Sequence, residues 1–423
     1  SQAAPKDKNL DKAAKKLSAQ VAAARQELAD LDRTIADTAQ DPERLSLVPQ
    51  HADIQQAVLK ETAKLHAGDA ENLQLWQEFL PKCRVEIQRI YDRLGVRFDV
   101  ELGESFYHDQ LEAVVDDFMA RGLARESAGA ICIFLEGFDA PMIIRKQDGA
   151  FLYATSDLAT IRYRMRTWSP EVILYVVDFR QGEHFHKLFA AARQWGYTDV
   201  ELRHIEFGTV LGEDGKPFRT RAGDTVGLES LLDAAVQRAL QVVSENDDAK
   251  PGGPELTKTQ RQHVANVVGH AAIKYADLSQ NRASDYVYSE EKMVALRGNT
   301  ATYLQYSYAR VINIFARGDV DPESLRRDAA PVMLQHEKER QLALVLVRLP
   351  EACDEVLVDY RPNHLTGYLF ELATRFSEFY EACPVLKAES DAQRTSRLKL
   401  CDLVARTLKL GLSLLGIEVV DKM

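Results

Sequence analysis

The stretch "EVILYVVD", residues 171 to 178, most limits what this chain can fold into. It is a continuous apolar run of strand length, and such runs suit a parallel strand covered on both faces. A helical pattern from about Glu183 to Trp195 stops at Gly196, and "DVELRHIEF" then reads as a second strand. Strand, helix and strand within roughly 35 residues make a βαβ unit, which predicts a parallel, doubly wound sheet.

The flanking segments extend this reading. "AICIFL" (130–135), "PMIIRK" (141–146) and "AFLYAT" (150–155) are short strand-like runs separated by turn residues, with a helix expected from about Asp157. Upstream, residues 10–37 read as one helix. Its Leu17, Val21, Ala24, Leu28, Leu31 and Ile35 form the seam of a helical hairpin or short coiled coil. Residues 53–94 are also helical in pattern, with Trp76, Phe79, Leu80, Val85, Ile87, Ile90 and Leu94 as core candidates, and a further helix is expected over 108–121. Past the polar, proline- and glycine-containing segment 244–257, the best domain boundary, five long periodic segments predict a helical bundle.

Bulk properties narrow the class. No run is apolar and long enough to span a bilayer, so no membrane association is expected. The five cysteines are scattered without a C-x-x-C pair, which argues for free thiols in the cytoplasm and against a zinc site. A net charge of −11 argues mildly against a nucleic-acid partner, although a local basic surface on an acidic protein still binds one.

Ligands of open parallel sheets bind at the carboxyl ends of the strands. Three polar stretches lie at such ends. The first holds Tyr153, Thr155 and Asp157; the second is "DFRQGEHFH", Asp178 to His186; the third is the glycine-rich loop 208–228 with Lys216, Arg219 and Arg221. Asp157 reads either as a helix N-cap or as a ligand group. A carboxylate beside the Gln181 amide and the Tyr153 phenol suits a planar guanidinium. His184 and His186 have no third residue spaced to complete a metal site, so no metal site is expected. Clustered cations among glycines read either as a solvated turn or as a mobile loop gripping phosphates. In the helical half, "GNTATYLQYSYARVINIFARG" places Tyr303, Gln305, Tyr306, Tyr308 and Arg310 on one helix. Tyr306 and Tyr308 cannot share a face, so at least one should be exposed, and exposed tyrosines with arginine can stack unpaired RNA bases.

Taken together, "YATSDLA", "VDFRQGEHF", "GEDGKPFRTRAGDTV", "IKYADLSQNRASDYV", "GNTATYLQYSYAR", "EFYEACPVL" and "RTLKLGLSLLGIEVVDKM" resemble the arginyl-tRNA synthetases, a class I family, from about residue 59 to the end. The resemblance implies a Rossmann-like α/β catalytic region followed by an all-α anticodon-binding bundle. The division it suggests is a helical insertion over 1–58, catalytic residues over 59–250 and the bundle over 251–423. It assigns substrate arginine to Tyr153, Asp157 and Gln181. "PFRTR" corresponds to the family's KMSKS loop, with Lys216, Arg219 and Arg221 as catalytic cations and Gly208, Phe218 and His184 expected at ATP. Tyr303, Gln305, Tyr308 and Arg310 are expected at tRNA. The implied substrates are ATP with magnesium, L-arginine and an arginine tRNA, and a monomer is expected at full length. The family's HIGH-like motif, usually H-x-G-H, does not occur here. The chain is therefore expected to be the C-terminal portion of such an enzyme, charging no tRNA alone and leaving an exposed apolar sheet edge. A tRNA-binding module without catalysis is the alternative.

Overall fold

The computed structural model describes residues 8–66, 68–212, 215–216, 227–293, 295 and 297–423. The chain divides into a compact unit Ser1–Arg89 and a larger one, Ile90–Met423. The first unit contains α1 (Lys8–Gln40), α2 (Pro42–Leu47), α3 (Ile54–His66) and most of α4 (Ala70–Leu94). Among the described residues the expected helices form, but much of the expected burial does not. Val21, Leu28, Leu31 and Ile35 of the α1 seam are exposed, as are Trp76, Phe79, Val85 and Ile87 of α4. Helical periodicity says which face is apolar; it does not supply a partner for it.

The larger unit opens with α5 (Leu111–Ala120) and an antiparallel sheet of β1 (Ala124–Ser127), β2 (Ala130–Ile133) and β3 (Met142–Arg145). Then come α6 (Tyr153–Trp168), β4 (Val172–Asp178), α7 (Gly182–Trp195) and β5 (Glu201–Phe207). β4 and β5 pair in parallel from Val172 opposite Glu201 to Asp178 opposite Phe207, which is the expected βαβ unit. Leu158, Ile161, Leu188, Ala191 and Ala192 of the two helices bury Ile173 and Tyr175 of β4. Coverage on both faces does not occur among the described residues, because Val172, Leu174 and Val176 on the other face are exposed. Gly196, with φ of 109°, ends α7 in the left-handed conformation that glycine adopts without strain.

The chain continues through β6 (Val210–Leu211), α8 (Leu228–Asp248), α9 (Lys258–Leu278), β7 (Tyr286–Val287) and α10 (Glu290–Met293). β6 and β7 pair in parallel. The polar segment 244–257 proves to be the tight connection between α8 and α9. Asp247, fully buried, accepts the backbone N–H groups of Glu255 and Leu256 and pairs with Lys250 and Arg261. The remaining helices are α11 (Ala301–Arg317), α12 (Pro322–Arg327), α13 (Glu337–Leu346), α14 (Leu349–Asp359), α15 (Asn363–Ala382) and α16 (Asp391–Leu414). They share one core that includes Leu304, Val311, Leu342, Leu369, Phe376, Leu398 and Leu408. Thr300 caps the start of α11 by accepting the Tyr303 N–H at 3.2 Å. Among the described residues, no helix is long and apolar enough to cross a membrane.

Candidate functional site

Residues 150–155 are not a strand. Phe151 makes one bridge to Arg145, and α6 begins at Tyr153 after extended Leu152. The reason is tertiary. Thr155 is fully buried and its hydroxyl donates to the Ile144 carbonyl of β3, which anchors the first helical turn to the sheet. Asp157 is therefore inside the helix and is not its N-cap. Tyr153 and Asp157 lie four residues apart on one helix face.

α7 brings its first turn to that face. His184 Nε2 lies 2.6 Å from Asp157 Oδ2, and the His184 ring meets the Tyr153 ring edge-on at 4.5 Å. The His184 side chain is 10% exposed and that of Asp157 is 31% exposed, so the carboxylate keeps an accessible side beyond its bond to the imidazole. Gln181 closes a single 3-10 turn (Phe179–Gln181) after β4. Tyr153, Gln181 and His184 line one cleft of about 660 Å³ together with Ile143, Arg180 and Lys187. Asp157 joins this set through His184. Of the three residues expected at arginine, Tyr153 and Gln181 line the cleft, and Asp157 is bonded to its His184. The structure places His184, expected at ATP, against Asp157. Asp178 is occupied internally. Both its oxygens accept from the Arg180 guanidinium at 2.8 Å, and that pairing, with the Arg180 N–H, lowers its pKa to about 2.

The third stretch is partly described. Lys216 is exposed, and its carbonyl accepts the Gly212 N–H at 2.8 Å in a turn where Gly215 has φ of 71°. Phe218, Arg219 and Arg221 lie outside the described residues. Gly208 has a steric role of its own. A Cβ there would lie 2.6 Å from the Ser284 carbonyl and 2.8 Å from the Asp285 nitrogen, so only glycine permits this approach.

The expected tRNA residues separate. Gln305 is fully buried and its amide donates to the Glu418 carbonyl at 2.8 Å. Tyr308 is 6% exposed and its hydroxyl reaches Asp421. Neither offers a stacking face, a correction that follows from their place beside Leu304, Val311 and Phe315 on the buried side of α11. Tyr306 is the exposed tyrosine. The Arg310 guanidinium lies 5.2 Å from its ring centre and 5.3 Å from that of Tyr380. Tyr303, Tyr306 and Arg310 line a groove of about 640 Å³ with Lys250, Arg297 and Met423. The signal for this groove was the spacing 303, 306, 310, which follows one helix face; Lys250, Arg297 and Met423 carried no local signal.

Comparison with known proteins bears on the family and the fold. The family described as "tRNA synthetases class I (R), catalytic domain" matches residues 12–290, and the "DALR anticodon binding domain" matches residues 304–423. An arginine–tRNA ligase of Rhodopirellula baltica is 52% identical over 428 residues, covering 99% of this chain and 64% of that protein. One from Nostoc punctiforme is 47% identical over 384 residues, covering 87% of this chain and 64% of that protein. The chain thus spans 64% of the length of these relatives. The crystal structure of arginyl-tRNA synthetase from Plasmodium falciparum superposes with a TM-score of 0.76 at 27% identity, covering 89% of this chain and 63% of that one. The Thermus thermophilus arginyl-tRNA synthetase shares the fold, with a TM-score of 0.74 at 23% identity, over 93% of this chain and 69% of that one. A class I catalytic region followed by an all-helical DALR domain is the architecture of both the matches and the structure, and the chain belongs to the arginine family of class I tRNA synthetases.

Proposed function

We propose that this protein serves as an arginine–tRNA ligase, activating L-arginine with ATP and transferring it to an arginine tRNA. The observation that carries the reading is the cluster of Tyr153, Asp157, Gln181 and His184 at the carboxyl end of β4. A carboxylate, an amide oxygen and a phenol recognise a planar cation with N–H groups, which is the side chain of arginine.

In the proposed reaction the arginine carboxylate attacks the α-phosphorus of ATP and pyrophosphate leaves. A terminal ribose hydroxyl of the tRNA then attacks the activated carbonyl and AMP leaves. Magnesium accompanies ATP as part of that substrate. The protein's task is positioning and charge stabilisation, with little proton transfer by side chains. Lys216, Arg219 and Arg221 are proposed to meet the phosphates, and Gly208, at the foot of their loop, sets where that loop begins.

The groove on α11 is proposed to take unpaired tRNA bases. Tyr306 and Arg310 offer an exposed ring and a guanidinium, and Tyr303 lines the wall with its hydroxyl held 3.2 Å from Ser377. Tyr306→Ala is expected to weaken tRNA binding about tenfold, since stacking one base contributes roughly 1–3 kcal/mol. Filter binding with bulk tRNA at two salt concentrations checks this. Unchanged affinity would remove the groove from the interface. Radiolabelled arginine with ATP and tRNA then tests the ligase reading. Arginine binding and ATP-dependent attachment support it. Binding of tRNA without any binding of arginine would reduce the protein to a tRNA-binding module.

A further inference from the structure

Arg282, in the turn between α9 and β7, donates three hydrogen bonds to backbone carbonyls. Nη1 reaches Glu206 at 2.6 Å, Nη2 reaches Asp359 at 2.9 Å and Nε reaches Tyr360 at 3.1 Å. Glu206 is near the end of β5, whereas Asp359 and Tyr360 end α14. Arg203 of β5 adds a bond to the Val358 carbonyl at 3.0 Å and lies over the Tyr360 ring at 5.0 Å. Two guanidinium groups thus cap three successive carbonyls at the negative end of α14. Both arginines lie within the catalytic match and α14 lies within the DALR match.

The other side of Arg282 faces the loop. Its carbonyl accepts the Gly208 N–H at 2.7 Å, and Asp285 accepts the Thr209 N–H at 2.6 Å. The β6–β7 pair carries this attachment to Leu211, where the loop with Lys216 begins. On the DALR side, left-handed Tyr360 turns the chain from α14 into α15. α15 supplies Ser377 and Glu381 to the wall of the aromatic groove. Arg282 therefore stands between the foot of the basic loop, held by its main chain, and the helix pair that lines the groove, reached by its side chain.

We infer that Arg282 is a positioning residue that couples occupancy of the α11 groove to the order of the strand leading into the basic loop. The inference rests on the tRNA reading above. Groove binding steadies α15 and, through its turn, the end of α14. The steadied carbonyls hold the guanidinium, the guanidinium holds the Glu206 carbonyl, and the main-chain carbonyl of the residue so fixed holds the Gly208 N–H. Lysine is a poor replacement, because a point charge cannot reach three carbonyls in a fixed fork.

Hydrogen exchange on the 423-residue protein, with and without an arginine-accepting tRNA, tests the coupling. In the unmodified protein, tRNA is expected to slow exchange both along α11 and at Gly208–Leu211 and Tyr286–Tyr288, roughly tenfold at the latter. In Arg282→Gln, protection along α11 remains and the remote protection disappears. Arg282→Lys keeps the charge and serves if the glutamine variant fails to fold; it is expected to lose most of the remote effect. Remote protection that survives in either folded variant, or that never occurs in the unmodified protein, overturns the inference. Absence of protection along α11 itself overturns the tRNA reading, and the coupling with it.

Discussion

Asp157→Ala is expected to lower arginine affinity on the order of 100-fold while leaving ATP binding unchanged. Removing one partner of a desolvated, hydrogen-bonded charge pair costs roughly 2–5 kcal/mol. The Asp157 carboxylate is 31% exposed, which places the loss toward the lower part of that range. About 3 kcal/mol corresponds to roughly 100-fold. The effect should be local, because Thr155, and not Asp157, anchors the start of α6. Asp157→Asn separates charge from shape. It keeps a polar group beside His184 and loses the charge a guanidinium needs, so it should fall close to the alanine variant. Calorimetric titration of arginine, with ATP titrated in parallel, checks both. Unchanged arginine affinity in the alanine variant would remove Asp157 from the pocket.

Glu339→Ala is expected to destabilise the DALR bundle by about 3–5 kcal/mol, the usual cost of removing one partner of a buried ion pair. Glu339 is 1% exposed and Arg397 7%. One Glu339 oxygen lies 2.7 Å from Arg397 Nε; the other accepts the N–H groups of Gln335 and His336 at 2.8 Å each. The truncation leaves a buried guanidinium without its counter-charge and two donors without an acceptor. Against a total stability of roughly 5–15 kcal/mol for a domain, this is a large fraction.

The same carboxylate sets an acid limb. Burial alone would raise its pKa, but the His336 N–H, the Arg397 guanidinium and the Gln335 N–H outweigh burial and hold it below the usual carboxylate range. A depressed folded pKa contributes stability that is present above the unfolded value and lost as pH falls through the folded one. Urea unfolding at neutral pH and near pH 3 should show a large gap between unmodified protein and Glu339→Gln at neutral pH, and a smaller gap in acid. Equal gaps would show that the charge of Glu339 does not matter.

Much of this was readable in the residues. The βαβ unit showed because its apolar run, its helix and the Gly196 stop are local signals. The residues of the proposed arginine pocket were legible because carboxylate, amide and phenol cluster at strand ends. The start of α6 did not show, because "AFLYAT" has strand-like residues and only the buried Thr155 bond to β3 decides for helix. The role of His184 was hidden for the same reason: its partner is 27 residues away on another helix. Gln305 and Tyr308, which the resemblance placed at tRNA, share the buried side of α11 with Leu304, Val311 and Phe315. Tyr306 had been marked as a possible exposed ring, and it is the one that faces solvent. Arg282 lies in the quoted stretch "IKYADLSQNRASDYV", but its contacts did not show there, since carbonyl acceptors on a distant helix end leave no trace in sequence.

The central claim is that the cleft beside β4 recognises a guanidinium. Calorimetric titration of the 423-residue protein with L-arginine and with citrulline tests it most directly. Citrulline keeps the length and planarity of arginine but replaces the cation with a neutral urea. The account predicts saturable arginine binding and citrulline affinity at least tenfold weaker, with that preference lost in Asp157→Ala. Equal affinity for the two, or no binding of arginine, would contradict it.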